Sequence, residues 1–186
     1  MKTVDDFLKE HNEEVSRYNL DPNKISEHDK LFIRCKERSL YLIEHSLKTE
    51  SKLREKLKQS GRYSDEIIDE TIEFLKKYGY VDDLRFAELL IKQYAGTKSL
   101  REIEQKLYQR GVDQKCIKEA MSGFREDEEL AHDSEMKAVQ AAIKKKCKNS
   151  SELDADAKRK LYASLMRKGY SYSIITSALS VDEDFG

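Results

Sequence analysis

Tryptophan is absent from this chain, proline occurs once (Pro22), and no apolar run is long enough to cross a bilayer, which takes about 20 residues. The near-absence of proline removes the strongest helix breaker from everything after residue 22. The three cysteines, Cys35, Cys116 and Cys147, lie far apart without paired spacing, which excludes a disulfide framework and a zinc pattern. Free thiols fit a reducing compartment, and no signal-peptide pattern is present, so the expected location is cytoplasmic, with no membrane partner.

Catalytic signatures are also missing. There is no phosphate loop, dinucleotide fingerprint or nucleophile elbow. The four histidines, His11, His28, His45 and His132, have no metal-ligand spacing. Asp82 and Asp83 form an adjacent carboxylate pair, but two acids at a helix start satisfy its free N–H groups and its dipole. The expectation is a protein that is not an enzyme, with no catalytic residue, no cofactor and no metal.

What the chain does contain is one unit written three times: SKLREKLKQSGRYSDEIIDETI (51–72), REIEQKLYQRGVDQKCIKEAM (101–121) and KRKLYASLMRKGYSYSIITSAL (158–179). Aligned on Gly61, Gly111 and Gly169, the position four residues earlier is Leu57, Leu107 and Leu165, and eight earlier it is Leu53, Ile103 and Leu161. That spacing places both side chains on one helical face. After each glycine comes a capping residue, Ser64, Asp113 or Ser171. Tyr63, Val112 and Tyr170 precede the caps, and Ile68, Ile117 and Ile175 follow four residues later, the pattern of a hydrophobic staple. The first copy carries one extra residue, Arg62.

Six of the seven glycines (Gly61, Gly79, Gly96, Gly111, Gly123 and Gly169) stand where an apolar period stops, which points to an all-α chain. Helices are expected over 27–45, 50–60, 64–78, from Asp82 or Asp83 to about 95, 99–110, 114–123, about 126–148, 154–168 and 172–180. The domain reading is an acidic N-terminal extension (1–29) with a helix at 3–18, three-helix repeats at 30–80, 81–124 and 125–181, and a frayed tail at 182–186.

The net charge of −1 counts against a nucleic-acid partner until its distribution is considered. Residues 49–62 carry a net +3, residues 99–110 a net +1 and residues 156–168 a net +4, leaving −9 for the rest. Bases therefore gather on the middle helix of each unit, where stacked units would align them in a stripe. Tyrosines lie among them (Tyr63, Tyr108, Tyr162, Tyr170 and Tyr172), and aromatics among bases can stack on nucleotides. A helix-turn-helix reading is disfavoured, because the last helix of the first unit opens with Asp65, Glu66, Asp69 and Glu70, which duplex phosphates repel.

The stretch ERSLYLIEHSLKTESKLREKLKQSG (37–61), the junction YGYVDDLRFAE (78–88), and the blocks KLYQRGVD (106–113) and LMRKGYS (165–171) resemble the RecX family of bacterial recombination regulators. The resemblance spans about residues 30 to 180, and Asp82-Asp83-Leu84-Arg85-Phe86-Ala87 is its most specific piece. It implies three tandem three-helix repeats in a curved, elongated array. It also implies a monomeric regulator that binds the RecA recombinase and its filament on single-stranded DNA. Such a regulator limits filament extension, damping recombination and the SOS response. On that reading the basic residues Lys52, Arg54, Lys56, Lys58, Arg101, Lys106, Arg110, Lys144, Lys145, Lys146, Arg159, Lys160, Arg167 and Lys168 face the filament or its DNA. Two alternatives stand beside it: a direct single-stranded nucleic-acid binder, and a helical scaffold for another protein.

Overall fold

A computed structural model describes residues 26–147 and 153–184, and every regular element among them is an α-helix. The helices are α1 (Glu27–His45), α2 (Glu50–Gln59), α3 (Asp65–Lys77), α4 (Asp83–Tyr94), α5 (Leu100–Gln109), α6 (Gln114–Glu126), α7 (Glu128–Lys146), α8 (Ala155–Arg167) and α9 (Tyr172–Asp184). They form three tandem three-helix modules, α1–α3, α4–α6 and α7–α9, each around its own apolar cluster. The expected helix at 3–18 lies outside the described residues.

The repeated residues build those clusters. Leu57, Leu107 and Leu165 are each fully buried, as are Leu53 and Ile103, and Leu161 is nearly so. The staple pairs pack into the same cores: Tyr63 with Ile68, Val112 with Ile117, and Tyr170 with Ile175. Ser64 accepts from the Ile67 N–H, Asp113 from that of Lys115 and Ser171 from that of Ile174, so each cap satisfies a first-turn donor that would otherwise face no acceptor.

Gly111 and Gly169 have φ of 73° and 97°. After them Val112 N–H reaches Leu107 O at 3.2 Å and Tyr170 N–H reaches Leu165 O at 3.3 Å. These six-to-one bonds define the Schellman motif, whose left-handed residue is best filled by glycine. Helix α2 of the first module ends differently, because its extra residue Arg62 directs its N–H to the Ser60 hydroxyl instead.

Two expectations are corrected. Gly123 does not end a helix; α6 continues to Glu126, and Gly123 lies inside it without a positive φ. There it lines a groove of about 280 Å³ whose walls include Ile91, Ala120, Phe124 and Leu130, so the loss of apolar period reflects a face left open rather than a helix end. The last helix runs to Asp184, beyond the expected end at residue 180.

The chain divides into two compact units, up to Asp82 and from Asp83 onward. The first holds module 1. Its core has an unusual occupant: Lys36 is only 4% exposed, with its ammonium 4.3 Å and 4.6 Å from the ring centroids of Phe32 and Phe74. Facing two aromatic π-surfaces offsets part of the cost of burying that charge. The second unit holds modules 2 and 3, which are joined through a polar junction.

Candidate interaction surface on the basic helices

Module 1 carries four bases within residues 52–58, and the structure pairs most of them with acids. Lys52 pairs with Glu55 at 2.7 Å, Arg54 with Glu50 at 2.9 Å and with Asp69, and Lys58 with Asp65 at 2.8 Å. The acids that open α3 thus lie against the bases of α2. Glu50 also takes Lys76 at 2.8 Å, tying the start of α2 to the end of α3. Burial pushes the Glu50 carboxyl up, but the hydrogen bonds and charges of Lys76 and Arg54 outweigh it and hold it below its ordinary value. Of the four bases expected here to face a partner, Lys56 forms no ion pair among the described residues; it reaches the Gln59 amide oxygen at 3.3 Å.

In module 2, Lys106 lies half-buried with its ammonium 5.2 Å from the Tyr94 ring centroid. Arg101 is exposed, but its stem packs against Gly169 of module 3. Arg110 is exposed at the C-cap of α5.

Module 3 keeps its charge outward. Lys144, Lys145 and Lys146 form the exposed last turn of α7, where cations favour the negative end of the helix dipole. Lys146 donates to the Ser164 hydroxyl, setting the basic end of α7 beside the middle of α8. Arg159 is 85% exposed and approaches Asp156 only to 4.0 Å. Lys160 is exposed, and Arg167 donates through Nε to the Ala163 carbonyl at 3.3 Å. Among the described residues, Lys144, Lys145, Lys160 and Arg167 meet no carboxylate.

Lys168 is the exception, because it belongs to the junction between modules 2 and 3. Its ammonium pairs with Glu102 at 3.4 Å, while its carbonyl accepts from the buried Ser99 hydroxyl. Ser99 and Glu102 form a capping box: Glu102 N–H donates to Ser99 Oγ at 3.1 Å, and Ser99 N–H donates to the Glu102 carboxylate at 3.2 Å. One residue pair therefore closes the start of α5 and holds the end of α8. Nearby, Gly96 N–H donates to Ser134 Oγ at 2.8 Å. Tyr170, buried under this junction, has its phenol pushed far up by burial and by the charges of Glu102 and Glu135.

The spacing Ser99-x-x-Glu102 is a capping-box signature legible in the sequence. Its partner at Lys168 had no such signal, since it is 69 residues away and is bonded through a backbone carbonyl. Neither had the pairing of α3 acids with α2 bases.

Comparison with known proteins agrees with this module order. Family models described as the first, second and third three-helix domains of RecX match residues 35–75, 82–121 and 133–179. The regulatory protein RecX of Clostridium botulinum (strain Alaska E43 / Type E3) is 33% identical over 156 residues, covering 82% of this chain and 70% of that protein. The chain belongs to the RecX family. The regulatory protein RecX of Clostridium acetobutylicum is 34% identical over 151 residues, covering 80% of this chain and 68% of that protein. The RecX crystal structure from Lactobacillus salivarius superposes with a TM-score of 0.66 at 19% identity, covering 83% of this chain and 97% of that one; this likeness concerns the fold alone. Among the described residues, no helix is long and apolar enough to cross a membrane.

The three matched segments contain all the basic positions singled out above: Lys52 to Lys58 fall in the first domain, Arg101 to Arg110 in the second, and Lys144 to Lys168 in the third.

Proposed function

We propose that this protein regulates the RecA recombinase by binding its filament on single-stranded DNA and limiting filament extension and activity. It thereby damps recombination and the SOS response. It does so as a binding protein, without catalysing a reaction. The observation that carries this reading is the succession of three RecX three-helix domains in a chain whose relatives are named regulatory protein RecX. The basic surface supports it: exposed cations on α5, α7 and α8 suit an anionic partner such as a nucleoprotein filament. The residues expected to face that partner act unequally. Those of modules 2 and 3 contribute most, and the acid-paired bases of α2 contribute least.

The test is ATP hydrolysis by RecA from the same source on single-stranded DNA, with and without this protein. Inhibition at substoichiometric ratios is the expected result, since one bound molecule then stops many subunits. No effect at equimolar protein overturns the reading and leaves a direct single-stranded nucleic-acid binder or a helical scaffold for another protein.

A further inference from the structure

The repeat leaves out one side chain. The position ten residues after the cap Ser64 is Phe74, and ten after Ser171 it is Val181, but ten after Asp113 it is Gly123. In module 1 the Phe74 ring fills that place, edge-on to Phe32 with centroids 6.1 Å apart and 4.5 Å from the Tyr78 ring. In module 2 the place is open: a Cβ at Gly123 would meet no heavy atom within 4 Å. Among the described glycines, Gly123 is also the only one without a positive φ. Glycine inside a helix costs stability relative to alanine, and here neither backbone conformation nor crowding requires it. What the missing side chain provides is space.

That space is the groove of about 280 Å³ bounded by α4, α6 and the first turn of α7. Its apolar lining runs from the buried Ile91 and Ala120 through the half-buried Phe124 to Leu130, which is 53% exposed. Its charged lining is Glu88, Lys92 and Asp127, and Asp127 belongs to the exposed run Glu126-Asp127-Glu128-Glu129. Asp127 is fixed by accepting from the Leu130 N–H at 2.9 Å. Glu88, Glu126, Glu128 and Glu129 are held in no ion pair among the described residues.

An apolar floor with an acidic rim selects among partners. The rim repels nucleic acid and anionic lipid surfaces. A neutral apolar molecule gains nothing from it. Residues 1–25 of the chain hold six acids and four bases, which is the wrong sign. A basic protein segment suits both parts, with an apolar side chain over Gly123 and its bases toward the acids. Such a segment docks best as a helix. The described residues offer no strand edge for main-chain pairing, and a helix satisfies its own backbone groups against an apolar floor.

We propose that the groove over Gly123, between α4, α6 and the start of α7, is a docking site for a basic amphipathic helix of another protein, anchored by an apolar side chain in the place that Phe74 fills in module 1. This goes beyond the filament reading and does not rest on it. None of the basic positions assigned to the filament lines this groove. The experiment therefore contains no RecA, and its failure leaves that reading untouched.

The full chain is titrated, by fluorescence anisotropy, into a labelled helical peptide of leucine and lysine whose leucines recur at i, i+3, i+4 and i+7. One control peptide has the same composition with leucines scattered around the helix, and a second has glutamate for lysine. The patterned basic peptide is expected to bind one per chain, about ten-fold or more tighter than either control. Gly123→Leu fills the groove and leaves every charge in place. It should weaken the peptide about ten-fold while raising the thermal midpoint, because leucine replaces glycine inside a helix. Glu88→Lys should weaken the peptide several-fold at low salt and less at high salt. Lack of saturable binding overturns the proposal, as does equal binding of either control or of the Gly123→Leu variant. Sedimentation of the parent alone decides one further occupant: self-association relieved by Gly123→Leu would seat a second copy in the groove and overturn the proposal too. The three-peptide comparison uses the unaltered protein, so it does not rest on the folding of any variant.

Discussion

Gly169 lies so close to Arg101 that a Cβ there would stand 2.6 Å from the Arg101 Cβ and 2.9 Å from its Cδ. The Arg101 Cβ is fixed to its backbone, so relief requires modules 2 and 3 to shift. Gly61 occupies the matching repeat position with φ of 63° and open space around it. Gly61→Ala should therefore cost only the left-handed backbone penalty, roughly 1–2 kcal/mol. Gly169→Ala should cost that penalty plus an overpacking term of about 1–3 kcal/mol. Urea unfolding of the two variants checks this; equal losses would mean that the junction yields freely.

Ser99 performs two tasks with one hydroxyl, accepting from the Glu102 N–H and donating to the Lys168 carbonyl. Ser64 caps α3 only. Ser64→Ala should cost about 1 kcal/mol, the ordinary loss of a cap. Ser99→Ala should cost about 1 kcal/mol more, because the part-buried Lys168 carbonyl loses its donor. Comparing their denaturation midpoints at a common slope separates the two cases, and similar losses would remove Ser99 from the junction.

Two carboxylates should give opposite pH signatures. Glu50 is held below its ordinary value of 4.5, so its contribution to stability is present above that pH and lost as pH falls through its folded value. Glu50→Gln should be less stable than the parent at neutral pH, with the gap closing on acidification below 4.5. Glu135 is pushed above 4.5 by burial, against the weaker opposing charges of Arg125 and His132. Its protonated form suits the fold, so the parent's advantage is complete below 4.5 and is lost as pH rises through the folded value. Glu135→Gln should therefore be more stable than the parent at neutral pH, and that gain should vanish near pH 4.5. Thermal unfolding across pH 3–8 reads both, and parallel curves for parent and variant would remove the group in question from the account.

The helices, their caps and the module cores were legible because they rest on local spacing. Leu57, Leu107 and Leu165 announce a buried face, and Ser64, Asp113 and Ser171 announce helix starts, within a few residues of one another. Gly123 misled because a glycine at a loss of period looks the same whether the helix ends or one face opens onto a groove. The basic surface was legible only as a count of charges. Whether a lysine is available depends on what lies opposite in space: Asp65 and Asp69 meet α2 only after the chain turns at Gly61, and nothing in the spacing of α8 forecasts that Lys160 meets no carboxylate among the described residues.

That difference between modules gives the last prediction, which rests on the proposed binding to the RecA filament. Replacing Lys52, Arg54 and Lys58 by glutamine removes three formal charges, but those charges already face Glu55, Glu50, Asp69 and Asp65. Those cations are held by acids and so offer fewer direct contacts to an anionic partner than free ones do, although their removal lowers the net charge by the same three units. Replacing Lys144, Lys145 and Lys160 by glutamine removes the same formal charge from side chains that meet no carboxylate among the described residues. Filament affinity should fall about ten-fold or more for the second variant, at roughly 0.5 kcal/mol or more per charge, and by much less for the first. The second loss should also shrink as salt rises, since exposed charges are screened beyond a Debye length of about 8 Å at physiological ionic strength. Titration onto preformed filaments at two salt concentrations decides it: a larger loss from the module 1 variant would show that its ion pairs open on binding and that availability in the free protein does not govern the interface.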